Sequence, residues 1–355
     1  YSSFMEAKEI DSNSSYLNAS LADYYKTQED SSFYTQFINE LLLNNKIDLN
    51  VKSNIILDYV AYYLNNNGNV ENAIEIIKSL IENGEQKSEL HLALANILAK
   101  YDYEKEAIEQ FKIAMQLEPT NREAWIMMME FQMKKGRYSD LLQSVEDVLV
   151  YFPNDYVFFL YRGLAYMLVD KDEDAIVAFQ EGLKKLDSAE SSNPVASSML
   201  YEMLGDSYYK LNQKEKSFEA FENALTQNPQ NAGAMNNYAY YLSIEEENLE
   251  HAEELSGKSI KLDPNNPIYL DTYAWIYFKM KKYDLAKFYI EQAISYDTTN
   301  NVEIIEHYGD ILSQSGNEEE ALKQWKKAKE LGSQSALLDQ KIKEKHYIKE
   351  KNENK

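Results

Sequence analysis

Cysteine is absent from the 355 residues, which excludes disulfides, thiolate zinc sites and thiol nucleophiles together. Histidine is almost as scarce. His91, His251, His307 and His346 lie far apart, with no second histidine at ligand spacing, so a zinc centre has no support. No run approaches the roughly 20 apolar residues of a membrane span. Positive charge is also short: 36 Lys and Arg face 59 Asp and Glu, a net charge of −23. The stretch 341–355 holds six Lys against three Glu, leaving −26 for everything before it. Such a surface repels phosphate backbones, because nucleic-acid affinity rests largely on cations that release counterions, so neither nucleic acid nor anionic lipid fits as a partner. No glycine-rich phosphate loop or nucleophile elbow occurs, and Glu245–Glu247 and Glu318–Glu320 read as helix caps rather than paired catalytic acids. These absences argue against an enzyme and predict no cofactor and no metal.

The six prolines and eleven glycines are few but placed in time. Pro119, Pro153, Pro229 and Pro264 fall 34 or 35 residues apart, or about twice that. Ala73, Ala107, Leu141 and Ala175 recur every 34 residues, and Ser217, Ala252, Ala286 and Ala321 follow at intervals of 42, 35, 34 and 35. The long interval predicts an eight-residue surface loop, 190–197, rich in Ser and holding Pro194. A period of about 34 with an aromatic, a small residue and a second aromatic in one helix, then A-x3-F in the next, is the tetratricopeptide-repeat (TPR) signature. Its small eighth position reads Ala22, Ala61, Ala95, Met129, Gly163, Gly205, Ala239, Ala274 and Gly309. Small side chains there let two helices cross closely, so Met129 predicts a splayed hairpin. Gly68, Gly136 and Gly316 share one turn position where left-handed backbone is expected. Second-helix stripes such as Ala107, Phe111 and Ala114 read as core.

The predicted fold is therefore all-α: an α-solenoid superhelix of about nine TPR hairpins plus a C-terminal capping helix. The repeats are 15–48, 54–87, 88–121, 122–155, 156–189, 198–231, 232–266, 267–300 and 302–335. Residues 1–14 read as the end of a preceding repeat entered midway, and 336–355 as capping helix and charged tail. Residue 1 is Tyr rather than Met, so the natural chain is expected to start upstream, where any export signal or lipid anchor would lie.

Residues 198–335 carry a narrower resemblance. The strings at 235–242 (MNNYAYYL), 269–276 (YLDTYAWI), 306–312 (EHYGDIL) and 325–328 (WKKA) are similar to the last repeats of bacterial envelope TPR lipoproteins. That resemblance implies a periplasm-facing, lipid-anchored adaptor that presents other proteins. A cytoplasmic location is the alternative, and a structural subunit of a large envelope secretion or motility complex is the alternative role.

In a TPR array the second, fifth, sixth, ninth and twelfth residues of each first helix face a groove. Read off on that rule, the candidate binding residues are Tyr59, Tyr62, Asn96, Met127, Met133, Tyr161, Leu164, Met167, Asp206, Tyr209, Asn236, Asn237, Tyr240, Asp271, Trp275 and Phe278. TPR proteins that clamp a terminal carboxylate do so with Lys and Asn from adjacent first helices. Here the matching pairs are Leu92 with Asn96, Glu202 with Asp206, and Asp271 with Trp275, so that clamp is disfavoured. The expected partner is a protein or peptide with apolar anchors and basic residues, and homo-oligomerisation stays open. His91 is read as packing and His307 as a surface residue.

Overall fold

The computed structural model describes residues 2–27, 31–44, 46–47, 49–82, 87–187 and 193–349. These form twenty helices and no strand, in two units, Tyr1–Pro153 and Asn154–Lys355. Unit 1 opens with α1 (Ser2–Ile10). Four hairpins follow: α2 (Ser15–Lys26) with α3 (Ser31–Leu43), α4 (Leu49–Asn65) with α5 (Val70–Glu82), α6 (Ser88–Lys100) with α7 (Glu104–Leu117), and α8 (Arg122–Lys134) with α9 (Tyr138–Leu149). Unit 2 adds five: α10 (Tyr156–Met167) with α11 (Asp172–Asp187), α12 (Pro194–Lys210) with α13 (Lys214–Gln227), α14 (Ala232–Glu245) with α15 (Leu249–Leu262), α16 (Pro267–Lys279) with α17 (Tyr283–Tyr296), and α18 (Val302–Gln314) with α19 (Glu318–Glu330). The short α20 (Leu338–Glu344) closes it. Nine hairpins and a final cap make this an all-α TPR array.

Local chemistry sets each hairpin. First helices start at Asn121, Asp155, Asn193, Asn231, Asn266 and Asn301, whose side chains accept orphan N–H groups of the first turn. One closing bond recurs from turn to turn, as from Tyr103 N to Leu98 O, Arg137 N to Gln132 O, Gln213 N to Tyr208 O and Asn317 N to Leu312 O, at 2.8–2.9 Å. That bond needs a left-handed residue just before it. Gly136 and Gly316 serve there, while Asp102, Asp170, Asn212 and Lys281 take the same strained backbone without glycine.

The small eighth position is a packing requirement. A Cβ on Gly163 would lie 2.2 Å from Phe179, on Gly205 2.7 Å from Phe221, and on Gly309 2.5 Å from Trp325. Glycine thus stands where the facing second helix carries its largest ring. Met129 inverts the exchange: it is wholly buried, and the ring position opposite is filled by the smaller Val145. The pair α8 and α9 meets over a shorter stretch than α6 with α7 or the hairpins of unit 2, and a cavity of 690 Å³ opens beside it, lined by Trp125, Met128, Gln132 and Tyr151.

Three expectations are corrected. Ala61 is exposed, and the buried stripe of α4 runs through Lys52, Ile56, Tyr59 and Val60. The closing bond of that hairpin, Gly68 N to Tyr63 O, also comes one residue early, with Asn67 rather than Gly68 in the left-handed region. A one-residue advance turns a helix by about 100°, which moves Ala61 off the packed face. Next, Pro194–Ser197 are not loop: they form the first turn of α12, with proline at its start where no N–H is needed. Residues 190–192 of that predicted loop lie outside the described residues. Finally, the capping helix expected within 336–355 is helical only over Leu338–Glu344, and Lys345 turns the chain through a left-handed conformation. Glu350 lies outside the described residues.

Candidate functional site

Successive first helices of unit 2 lie against one another, α12 on α14, α14 on α16 and α16 on α18, and so present one continuous inner face. At its start, Asp206 of α12 accepts from Asn237 Nδ2 (3.2 and 3.3 Å) and from Tyr241 Oη (3.1 Å). Glu202, one turn earlier, accepts from Asn231 Nδ2 at 2.9 Å. Burial pushes the carboxyls of both upward, Asp206 to about 7 with Glu202 adding to the effect. Tyr209 stacks on Tyr241, ring centres 3.8 Å apart, and donates to Glu245 at 2.8 Å.

Further along, Tyr240 reaches from α14 past α16 to donate to Glu303 of α18 at 2.9 Å. Beneath it lies a buried ion pair: His307 Nδ1 is 3.0 Å from both oxygens of Asp271, with His307 8% and Asp271 6% exposed. Burial alone would lower the imidazole, but the Asp271 carboxylate outweighs it and holds His307 up at about 9. Burial also raises Asp271, so the pair keeps one proton and titrates together. The His307 ring stacks on Trp275 at 4.0 Å, and Trp275 on Phe278 at 4.7 Å. His307 is thus corrected from a surface residue to a core cation, because it sits one helix over from Asp271 at a facing position.

At the far end the face is covered from within. Lys341 of α20 inserts its ammonium between Glu306 Oε1 (2.9 Å) and Asp310 Oδ2 (2.8 Å), and Trp325 Nε1 donates to Asp310 Oδ1 at 2.9 Å. Burial raises Asp310 to about 6 in spite of the lysine; Glu306 would rise too, but Lys341 holds it below the usual range. Beyond Lys345 the chain crosses the inner face. Tyr347 N donates to Ser313 Oγ (2.9 Å), its ring meets Phe278 edge-on at 5.0 Å, and Lys349 pairs with Glu246 at 2.7 Å.

Of the candidate residues, the structure assembles Asp206, Tyr209, Asn236, Asn237, Tyr240, Asp271, Trp275 and Phe278 along this face. Asn236, Asp271, Trp275 and Phe278 are buried within it. In α10, Tyr161, Leu164 and Met167 are half-buried, the last two packing at the edge of the core shared with α11 and α12. Unit 1 is different. Tyr59 is 1% exposed, bonded to Thr35 and set edge-on to Tyr34, so the register slip in α4 makes it core. Tyr62, Met127 and Met133 are half-buried and Asn96 is exposed. The groove rule stopped short of α18. Applied there, it yields Glu303, Glu306, His307 and Asp310, which the sequence reading missed. Lys341 carried no positional signal.

Among the described residues no group of three His, Asp or Glu is placed to hold a metal, and no helix is long and apolar enough to cross a membrane. The face offers carboxylates, hydroxyls and aromatic planes, with no nucleophile set against a base.

Family profiles described as tetratricopeptide repeat match residues 64–256 and 269–300. A TPR repeat-containing protein of Pseudomonas aeruginosa, PA4667, is 32% identical over 166 residues, which is 46% of this chain and 26% of that protein. The match thus spans about a quarter of the length of that curated relative. Among solved structures, a tetratricopeptide repeat protein from Parabacteroides merdae superimposes with a TM-score of 0.57 at 20% identity, over 74% of this chain and 99% of that one. The Cut9–Hcn1 hetero-tetramer structure of APC/C gives 0.58 at 11% identity over 93% and 62%. These likenesses show the fold. With the repeat profile covering more than half of its length, the chain belongs to the tetratricopeptide-repeat family, whose members are generally scaffolds for other proteins rather than enzymes.

Proposed function

We propose that unit 2 is an adaptor that binds a segment of another protein along the inner face of α12, α14, α16 and α18, at the bacterial cell envelope. The observation that carries the reading is the alternation along that face of carboxylates (Asp206, Asp271, Glu303, Glu306) with aromatic rings (Tyr209, Tyr240, Trp275). Asp206 and Glu303, which accept from neutral groups, favour a cationic visitor, and flat rings give apolar anchors at low entropic cost. Burying one anchor contributes about 1.5–3 kcal/mol, whereas association costs an estimated 4–15 kcal/mol, so several must engage together. The envelope location rests on the resemblance of the strings within 198–335 to those of envelope lipoproteins.

The test places a photocrosslinking amino acid at Tyr240 or, as a control on a second helix, at the exposed Phe288, in the native cells. Protein crosslinked at Tyr240 and not at Phe288, recovered with the envelope fraction, is the expected result. Crosslinks through Phe288 alone would move the site to the other face. Cytosolic recovery would remove the envelope role.

A further inference from the structure

The inner face is spanned by a strap of the chain itself, residues 345–349, which begins at the left-handed Lys345 and is tied down along its length. Its backbone N–H at Tyr347 is held by Ser313, its tyrosine ring rests on Phe278, and two residues on its lysine meets Glu246. The fit is incomplete. Between strap and helices a cavity of 470 Å³ remains, lined by Tyr240, Trp275, Glu303 and His307, which is within the size range of sites that hold a side chain or small ligand. Trp275 is only 6% exposed, yet its Nε1–H has no acceptor among the described residues. A buried donor left unpaired is costly, and an arriving carbonyl oxygen would relieve that cost.

We propose that the strap is a built-in competitor for the groove, and that the partner segment carries its chemistry: an extended stretch with an aromatic residue and, two positions later, a lysine. Alternate residues of an extended chain project to the same side, so an aromatic at one position and a lysine two on reach Phe278 and Glu246 together. The partner outdoes the strap by placing a backbone carbonyl on Trp275 Nε1. Lys341 touches the strap, its ammonium 5.7 Å from the centre of the Tyr347 ring, but it stays in place when the strap lifts. Its ammonium is enclosed by Glu306 and Asp310, and α20 remains as the cap. This inference rests on the inner-face reading above.

The probe is a fluorescent synthetic peptide copying residues 344–349, titrated by anisotropy against the full chain and against the variant Tyr347→Ala with Lys349→Ala. An edge-on aromatic contact and a surface ion pair together hold the strap closed by about tenfold. The variant is therefore expected to bind the probe about tenfold more tightly than the unmodified chain, and a probe with alanine for its tyrosine should lose that binding. Because a variant can misfold, a second measurement uses the unmodified chain. Excess probe should speed hydrogen exchange at the Tyr347 amide and leave α17 unaffected. Equal probe affinity for both proteins, or an unchanged Tyr347 amide, would overturn the competitor role. If partner crosslinking through Tyr240 persists in that case, the groove reading stands and only the strap assignment falls.

Discussion

The buried pair of His307 and Asp271 permits a test with a defined sign. His307→Phe keeps a ring on Trp275 but removes the proton that Asp271 neutralises. Holding a histidine up from its ordinary value to about 9 corresponds to roughly 3 kcal/mol. A raised histidine contributes its stability fully below its unfolded pKa, near 6.5, and loses it as pH rises through about 9. At pH 6 the substitution should therefore cost about 3 kcal/mol, which for a unit of this size is a fall in Tm of roughly 6–12 °C. At pH 10 the native imidazole is already neutral, and the fall should shrink to a degree or two. Adding Asp271→Leu removes the stranded carboxylate and should recover most of the loss, since replacing both partners of a buried pair with apolar groups is often neutral. Thermal melts of the four proteins at the two pH values, with hydrogen exchange on α16 and α18, decide the matter. Equal losses at pH 6 and pH 10, or a double variant as damaged as the sum of the singles, would refute the pairing.

Other perturbations have equally definite outcomes. Asp206→Asn should flatten the pH dependence of stability between pH 4 and 7 in melts of the two proteins. Native Asp206, raised to about 7, favours the folded state below its ordinary carboxyl range and loses that contribution as pH rises through 7. Gly309→Ala drives a Cβ into the Trp325 indole, which Asp310 holds in place, and should cost about 1–3 kcal/mol by denaturant unfolding. Pairing it with Trp325→Leu should cost less than the two changes made separately. Met129→Ala moves toward the residue most hairpins carry, yet empties space that Val145 does not fill, and should lower stability by about 2–5 kcal/mol in the same assay.

The parts of the fold legible in the sequence were those set by steric exclusion. Gly163, Gly205 and Ala274 announce helix crossings because nothing larger fits, and the 34-residue clock follows from one hairpin covering the next. The slip in α4 was hidden because Ala61 is small for no packing reason, while Tyr59 and Val60, one residue earlier, offer an equally helical stripe. Met129 was legible as an exception, but its remedy, Val145, is a size exchange visible only once the two helices face each other. The groove was read by position and so located Asp206, Tyr240 and Asp271. Positional reading cannot say that Asp271 meets His307 across 36 residues, or that the strap folds back over Phe278. Those contacts depend on where neighbouring helices and a non-periodic tail come to rest.

Charge compensation along the inner face is uneven, and the unevenness has a direction. Toward α16 and α18 these buried acids have a cation of the chain itself: Asp310 and Glu306 share Lys341, and Asp271 has His307. At α12 the hydrogen-bond partners of Asp206 and Glu202 are neutral, Asn237, Tyr241 and Asn231. Neutral donors offset less of the cost of burying a carboxylate than a cation does, and burial leaves both of these acids raised. A visiting lysine or arginine therefore gains most at the α12 and α14 end, while the α16 and α18 end, already neutralised, offers rings and an unpaired indole N–H. The face is thus polarised for a segment whose basic residue lies toward α12 and whose aromatic residue lies toward α18, and that polarity fixes the direction in which a partner chain must run.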